Sequence, residues 1–501
     1  MDKHRRSFLK LMGLTAAGAL LPPISEAAPK RELPHGKPNI LLILADDMGW
    51  GDLRANNPAS HIPTECLDRL AAEGIRFTDG HAGSAACSPT RYALMTGQLA
   101  FRHPSVAGNV LGGSAPAAIP ANRLTLAGML KQCGYDTACF GKWNLGMNFP
   151  RCNPKRPSSC ANTDWSGKIT EGPLARGFDV YFGIPGSLDM EPAIWVDGDR
   201  FVGAATEPYR VEHTGANHVR EPSFRDEDCL PTVTEKAVSY LRGRKGTAAP
   251  FFLYLPLPSP HAPFALAPDF RGKTDIGPYG DYCYETDVMV GRVLKALDEA
   301  GKRENTLVIF ASDNGYWKLM KPAELEKRGH YPSGRFRGYK ADIYEGGHRA
   351  PFLIRWPAAI TPEQVCRVPV ALNDMMATLA DVVGYHLPDT AAEDSISILP
   401  LLTDPSGKTY ERSDFFYYGY INTVGLRDGD WNLLAYTRGP NIARGDLKVL
   451  ALYNTEDDPG QEKDLQHQET GVVQLLFRRL KQYVQCGRSA PKREWRMPAA
   501  R

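Results

Sequence analysis

Three things are missing from this chain, and each absence closes off a class of function. Beyond the first thirty positions no stretch approaches the roughly 18 uninterrupted apolar residues of a membrane span, so stable membrane insertion is not expected. Fifty-nine Lys and Arg nearly balance 57 Asp and Glu, for a formal charge of +2. No clustered cationic face stands out, so nucleic acid is not an expected partner. There are ten cysteines, yet no two stand in C-x-x-C spacing, which argues against a zinc ribbon or a dithiol redox pair. No internal repeat is present.

What the chain does have begins at its N-terminus. Arg5-Arg6-Ser7-Phe8-Leu9-Lys10 precedes a short apolar run, Leu11 to Leu21, and Ser25-Glu26-Ala27 offers a small-x-small cleavage site. The run is too short and too rich in Gly and Ala to span a bilayer. The pattern resembles a twin-arginine signal peptide over residues 1–28, which implies the twin-arginine export machinery as a partner and a bacterial periplasmic destination. An oxidising periplasm permits disulfides, and Cys152 with Cys160, in a Pro/Ser-rich loop, is the expected pair.

At 501 residues the chain exceeds what one core usually serves, so two domains are expected. Asn39–Ala45, Tyr135–Phe140, Phe251–Leu255 and Thr306–Ser312 read as strands buried on both faces, and Pro351–Trp356 as a last strand. Helical patterns fall between them at 64–74, 124–134, 231–242 and 279–301. Alternating strands and helices imply an α/β domain, residues 29–384, built on a largely parallel sheet flanked by helices. Residues 147–230 read as loop-rich. Residues 385–501 change character: short antiparallel strands and an amphipathic helix at 472–484 suggest a smaller α+β domain without recognisable chemistry of its own.

Four of these strands deliver polar groups just past their carboxyl ends: Asp46 and Asp47, Lys142, His261, and Asp313 with Asn314. Ligands of parallel sheets bind at that end, so the groups read as one site. Asp46, Asp47, Asp313 and Asn314 offer only oxygen ligands, the donor set of calcium or magnesium rather than zinc. Arg91, Lys142 and Lys340 add cations, and His261 an acid or base. So much positive charge around a hard cation suits a compact oxyanion ester, sulfate or phosphate. Cys87 stands in Ser84-Ala-Ala-Cys87-Ser88-Pro89-Thr90-Arg91. Pro89 suits the first position of a helix and Ser88 its cap, which places Cys87 at the positive end of a helix dipole.

Cys87-Ser-Pro-Thr-Arg91, with Tyr-Ala-Leu-Met-Thr-Gly97 after it, resembles the C-x-P-[ST]-R signature of the formylglycine-dependent sulfatases, the arylsulfatase class of the alkaline phosphatase superfamily. The resemblance extends through Asp46-Asp47-Met-Gly-Trp-Gly-Asp52, Gly141-Lys-Trp143, Pro260-His-Ala-Pro263, Ser312-Asp-Asn-Gly315 and Gly338-Tyr-Lys340…Glu345-Gly-Gly. It covers essentially the whole mature chain. It implies an alkaline phosphatase-like fold with a large mixed, mostly parallel sheet, and hydrolysis of a sulfate ester of a saccharide or an aryl alcohol. It also implies oxidation of Cys87 to 3-oxoalanine (formylglycine) by a maturation enzyme, and a Ca2+ or Mg2+ ion held by Asp46, Asp47, Cys87, Asp313 and Asn314. The resemblance gives sulfate binding and leaving-group protonation to His261 and Lys340. Arg91 and Lys142 hold the modified residue and the metal site. Ser187 and His348 are further candidates for the cleft. One position departs: Asn144 stands where the family usually has a histidine that takes a proton. Asn is no base near pH 7. Either another group or water serves, or the enzyme is slow or adapted to another ester, or the protein only binds sulfated glycan. A phosphate or phosphonate ester hydrolase on the same scaffold is the nearest rival.

Overall fold

The computed structural model describes residues 36–492, except 409, 411, 413, 440, 441 and 444. The twin-arginine stretch at 1–28 lies outside the described residues. Ten strands form the main sheet. In chain order they are β1 (Asn39–Ala45), β2 (Ile75–Phe77), β3 (Asp136–Lys142), β4 (Val180–Ile184), β5 (Val196–Asp197), β6 (Arg200–Phe201), β7 (Phe251–Pro256), β8 (Thr306–Ser312), β9 (Phe352–Arg355) and β10 (Gln364–Cys366). Their order across the sheet is β10-β2-β9-β8-β1-β7-β3-β4-β5-β6. The central run from β8 through β1, β7 and β3 to β4 is parallel, whereas β9 runs antiparallel to both β8 and β2. The sheet is therefore mixed and mostly parallel.

The apolar run of β1 is explained by its place at the centre. Ile40, Leu42 and Leu44 face one hydrophobic cluster, and Leu41, Ile43 and Ala45 the other, all with zero exposure. Each such side chain contributes about 1.5–3 kcal/mol when buried, so β1 can neither slip register nor reach an edge without large loss. On one face lie α1 (Glu65–Ala72), α4 (Cys229–Arg242) and α5 (Pro278–Glu299), supplying Leu70, Val233, Val290 and Val293. On the other lie α2 (Cys87–Thr96), α3 (Leu126–Gln132) and α6 (Met375–Val383). Two features escaped the sequence reading. Strands of two or three residues such as β2 carry too little periodicity to see, and β4 extends the sheet inside the stretch read as loop.

A second, four-stranded antiparallel sheet follows, β11 (Phe415–Tyr418), β12 (Thr423–Asp428), β13 (Trp431–Tyr436) and β14 (Lys448–Asn454), with α7 (Thr470–Gln485). Val424, Leu426, Leu433, Leu476 and Leu480 join the same cluster as α2 and α6. No cysteine is paired. The expected Cys152–Cys160 bridge is absent because the loop turns Cys152 to solvent and Cys160 inward, where burial pushes its thiol up to about 12. Asn162 holds the loop instead, its amide donating to the carbonyls of Asn153 and Pro157 at 3.0 Å each.

Asp79 ties the two sheets together. It accepts from Arg427 of β12 at 2.6 Å and pairs with Arg349 at 2.7 Å and His81 at 2.6 Å. Arg349 also donates to Glu345 at 2.6 Å. Asp79, His81 and Glu345 are close enough to hold a metal, but the two guanidinium groups already occupy their oxygens. Burial would raise the Asp79 pKa, yet Arg349 and Arg427 hold it well below the carboxylate range. Its contribution to stability is thus complete above about pH 4 and falls away as pH drops further. Asp79→Asn leaves two buried arginines short of charge and should lower unfolding free energy at pH 7 by about 3 kcal/mol, measured by denaturant titration. A change under about 1 kcal/mol would mean the network adds nothing net.

Candidate active site

The carboxyl ends of β1, β3, β7 and β8 converge. Asp46 and Asp47 follow β1, Lys142 ends β3, His261 lies just beyond β7, and Asp313 and Asn314 follow β8. Asp46, Asp313, Arg91 and Lys142 are completely buried. Such charges survive only when paired, and here they are. Lys142 Nζ lies 2.5 Å from Asp46 Oδ2, and Arg91 donates through Nε and Nη2 to Asp313 Oδ2 at 3.0 and 2.7 Å. Lys340 Nζ spans both oxygens of Asp47 at 2.6 and 2.9 Å. His261 Nε2 stands 3.5 Å from Asp47 Oδ2. Asp47 takes φ 68°, a left-handed conformation costly for any residue with a Cβ. Gly141, one residue before Lys142, has φ 133°, and a Cβ there would lie 1.9 Å from the Pro256 carbonyl, so only glycine lets β3 approach β7 this closely.

The charges act on one another. Burial pushes the Asp46 carboxyl up, but Lys142, His261 and Arg91 together hold it low. At Asp313 burial and the Asp46 charge prevail over Arg91, and its pKa rises. Lys340 resists burial because Asp47 faces it, so it stays firmly charged.

Cys87 opens α2, with Ala86 at the cap position. The helix thus starts two residues before Pro89, and Ser88 does not cap it. The Ser88 hydroxyl is taken instead, donating to Asn144 Oδ1 at 3.0 Å and accepting from the Leu111 amide at 2.9 Å. The Cys87 sulfur and one ligand atom each of Asp46, Asp47 and His261 lie within 4.8 Å of one another. Burial pushes the Cys87 thiol up to about 12, despite Lys142 and Lys340 nearby. An unmodified Cys87 is therefore a neutral thiol at physiological pH and a poor nucleophile.

One candidate falls elsewhere than expected. His348 does not reach the cleft. Its Nδ1 lies 2.9 Å from His81 Nδ1 and its Nε2 3.0 Å from the Ile343 carbonyl, inside the Asp79 network. Burial and His81 drive its pKa down to about 3, so it is neutral. Asn144 is beside the site but fully engaged: besides accepting from Ser88, its amide donates to the Leu111 carbonyl at 2.7 Å. Its φ of 52° is one that asparagine tolerates better than most residues. The Ser187 hydroxyl is buried and has no hydrogen-bond partner.

The sequence reading missed a neighbouring group. Asp189, two residues past Ser187, sits 4.0 Å from His261 Nδ1 and 3.6 Å from His213 Nε2. Burial works against its charge, but His261 and His213 hold it well below the carboxylate range. Trp317 stacks on His261 with centroids 5.5 Å apart, and Lys340 Nζ lies 5.3 Å from its ring. Position in the motifs could have flagged Asp189 and Trp317, since each stands two residues past a named group. Nothing marks His213. The C-terminal part also takes part. The Ala85 amide donates to the Gly419 carbonyl at 2.9 Å, and burial with Cys87 nearby raises the pKa of Tyr420.

Residues 38–385 match the sulfatase family profile, and residues 336–486 match the C-terminal profile of N-sulphoglucosamine sulphohydrolase. The chain is 32% identical over 487 residues to an N-acetylgalactosamine-6-O-sulfatase of Bacteroides thetaiotaomicron, covering 88% of this chain and 92% of that protein. It is 31% identical over 511 residues to arylsulfatase G of Rattus norvegicus, covering 94% and 90%. Among solved structures, a 6S-sulfatase from work on glycosaminoglycan metabolism by Bacteroides thetaiotaomicron superposes with a TM-score of 0.79 at 30% identity, covering 89% of this chain and 99% of that one. These likenesses place the chain among the sulfuric ester hydrolases. The chain belongs to the sulfatase family, and its reaction is the hydrolysis of sulfate esters.

Asn144→Ala would strip the partner from the Ser88 hydroxyl and the Leu111 carbonyl, both beside Cys87. It should lower unfolding free energy by about 1–3 kcal/mol, read from denaturant midpoints. An unchanged midpoint would show that Asn144 does not hold the 111 loop.

Proposed function

We propose that the protein removes sulfate from a sulfated saccharide through a formylglycine at position 87 and a divalent cation, calcium before magnesium. The observation that carries this reading is Cys87, buried at the start of α2 with its sulfur within 4.8 Å of ligand atoms of Asp46, Asp47 and His261. An aldehyde hydrate made from it would offer an oxygen nucleophile at neutral pH.

The donor set fits a hard cation. Asp46 Oδ1 and Asn314 Oδ1 are buried without a hydrogen-bond partner, and with Asp47 and Asp313 they make an all-oxygen set. When bound, such an ion would acidify the hydroxyl of the modified residue and neutralise the carboxylates. Around it, Arg91 keeps Asp313 in place and, through its bond to the Lys142 carbonyl at 2.9 Å, fixes the end of β3. Lys142 and Lys340 present fixed charge to a sulfate oxygen, where a dry site makes each worth more than in water. His261 is placed to donate a proton to the leaving alkoxide. Its Nδ1 faces the Ala262 carbonyl at 2.5 Å, which orients the ring and leaves Nε2 toward the site. Asn144 has both polar atoms engaged and no basic function. The proton that its histidine counterpart would take must therefore leave by water or another group.

Trp317 and Asp189 support a saccharide as the leaving group. An indole stacked on His261, and a carboxylate near the same imidazole whose Oδ1 accepts no hydrogen bond, suit a ring with hydroxyls. The N-acetylgalactosamine-6-sulfatases among its relatives point the same way. We also propose export to the periplasm by the twin-arginine route, on the Arg5-Arg6 stretch, and separate roles for residues 29–384 and 385–501. Among the described residues no helix is long and apolar enough to cross a membrane.

Co-expression with a formylglycine-generating enzyme should yield a Cys87 peptide carrying an aldehyde by mass spectrometry. That protein should release sulfate from sulfated monosaccharides, with p-nitrophenyl phosphate turned over far more slowly than p-nitrophenyl sulfate. Cys87→Ala should abolish turnover. A persistent thiol in active protein, or activity surviving Cys87→Ala, contradicts the reading.

A further inference from the structure

A second cleft, about 860 Å³ in volume, opens where the β2 and β10 edge of the large sheet meets the loop past β1. Arg76 of β2, Arg367 just past β10, and Arg335 line it, with the half-exposed Tyr331 beside them. Arg349 and Arg427 also reach the wall, but both are taken by Asp79. Counting all side chains of the wall, five arginines face only Asp79 and Glu456. Arg76, Arg335 and Arg367 pair with no carboxylate among the described residues. Arg335 rests on the Phe336 ring at 5.4 Å.

Arg76 carries the argument furthest. It is half-buried, and burial together with the neighbouring Arg367 charge pulls its pKa below the ordinary guanidinium value. Two like charges brought together on a partly desolvated wall repel, and an anion between them relieves both repulsion and desolvation. Planar guanidinium groups match sulfate and carboxylate oxygens in pairs. None of the groups paired at the strand ends lines the cleft, which touches their surroundings through a neighbouring loop. Trp50, in the loop that carries Asp46 and Asp47, forms part of its wall. The strands β2 and β1 are three places apart in the sheet, ~14 Å at the usual strand spacing.

We propose that this cleft binds the anionic flank of an extended sulfated saccharide while another unit of the same chain occupies the Cys87 centre. The ligand class rests on the sulfatase reading; the anion preference rests on the arginines alone. A single sulfated sugar is too short to reach it, so the cleft would favour oligomers without affecting monosaccharide turnover.

The test measures binding apart from catalysis. Cys87→Ala protein is titrated by calorimetry with a chondroitin 6-sulfate hexasaccharide, alone and with Arg76→Ala, Arg335→Ala and Arg367→Ala combined. The triple substitution should weaken binding about tenfold or more and flatten its dependence on salt. With Cys87 intact, the same triple variant should keep its kcat/KM for a sulfated monosaccharide within about twofold, since none of the three touches the centre. A control combining Arg242→Ala, Lys245→Ala and Lys295→Ala, exposed cations near the amino ends of β7 and β8, should bind as the parent does. Three results overturn the proposal: no hexasaccharide binding to the parent, undiminished binding by the triple variant, or an equal loss in the control. Failure of the sulfatase reading would show separately, as absent turnover of any sulfate ester by matured protein.

Discussion

One arrangement of buried charge organises the carboxyl end of the main sheet. Asp46, Asp47 and Asp313 are held against Arg91, Lys142 and Lys340 at the ends of strands that have no freedom to move. Charges with no exposure at all, such as Asp46 and Arg91, would each cost several kcal/mol unpaired. Their pairing therefore requires the four strand ends to sit in register, and the apolar β1 enforces that register from the core side. Removing any one partner would leave an uncompensated charge in a dry place, so the constellation stands or falls as a unit.

The catalytic sheet was legible because buried parallel strands advertise themselves. Asn39–Ala45 and Thr306–Ser312 were read at their observed limits, and the polar residue just past each strand marked the ligand-binding edge. Asp46, Asp47, Lys142, His261, Asp313 and Asn314 all lie there. What could not be read depends on side chains meeting across distant segments. His348 looked available beside Glu345-Gly-Gly, but a histidine at 81 and a backbone carbonyl claim its two nitrogens. Asp189 and His213 come from a stretch with little periodicity, and nothing in it says that Asp189 faces His261 or that His213 faces Asp189. The antiparallel course of β9 is likewise set by its neighbours, since three apolar residues and an arginine carry no directional signal.

The departure at Asn144 takes on a different meaning in the fold. As a missing base it leaves three readings: another group or water takes the proton, the enzyme is slow or adapted to another ester, or the protein only binds sulfated glycan. Its geometry shows a strut: one amide joins Ser88, which follows Cys87, to the backbone of Leu111. The left-handed backbone at this position suits asparagine. The C-terminal part also has more consequence than its composition suggested. Gly419 anchors the turn before Cys87, Tyr420 lies close enough for its ionisation to feel that residue, and Arg427 fastens the small sheet to Asp79.

The proposed reaction requires the oxygen groups at the strand ends to hold one hard divalent cation. Calorimetric titration of chelator-treated protein with calcium, followed by thermal unfolding with and without the ion, tests this. The expected result is one ion per chain, a raised unfolding midpoint, worth ~2.7 kcal/mol at a hundredfold excess over Kd, and loss of both effects in Asp46→Asn. Calcium and magnesium both leaving the heat and the midpoint unchanged would contradict it.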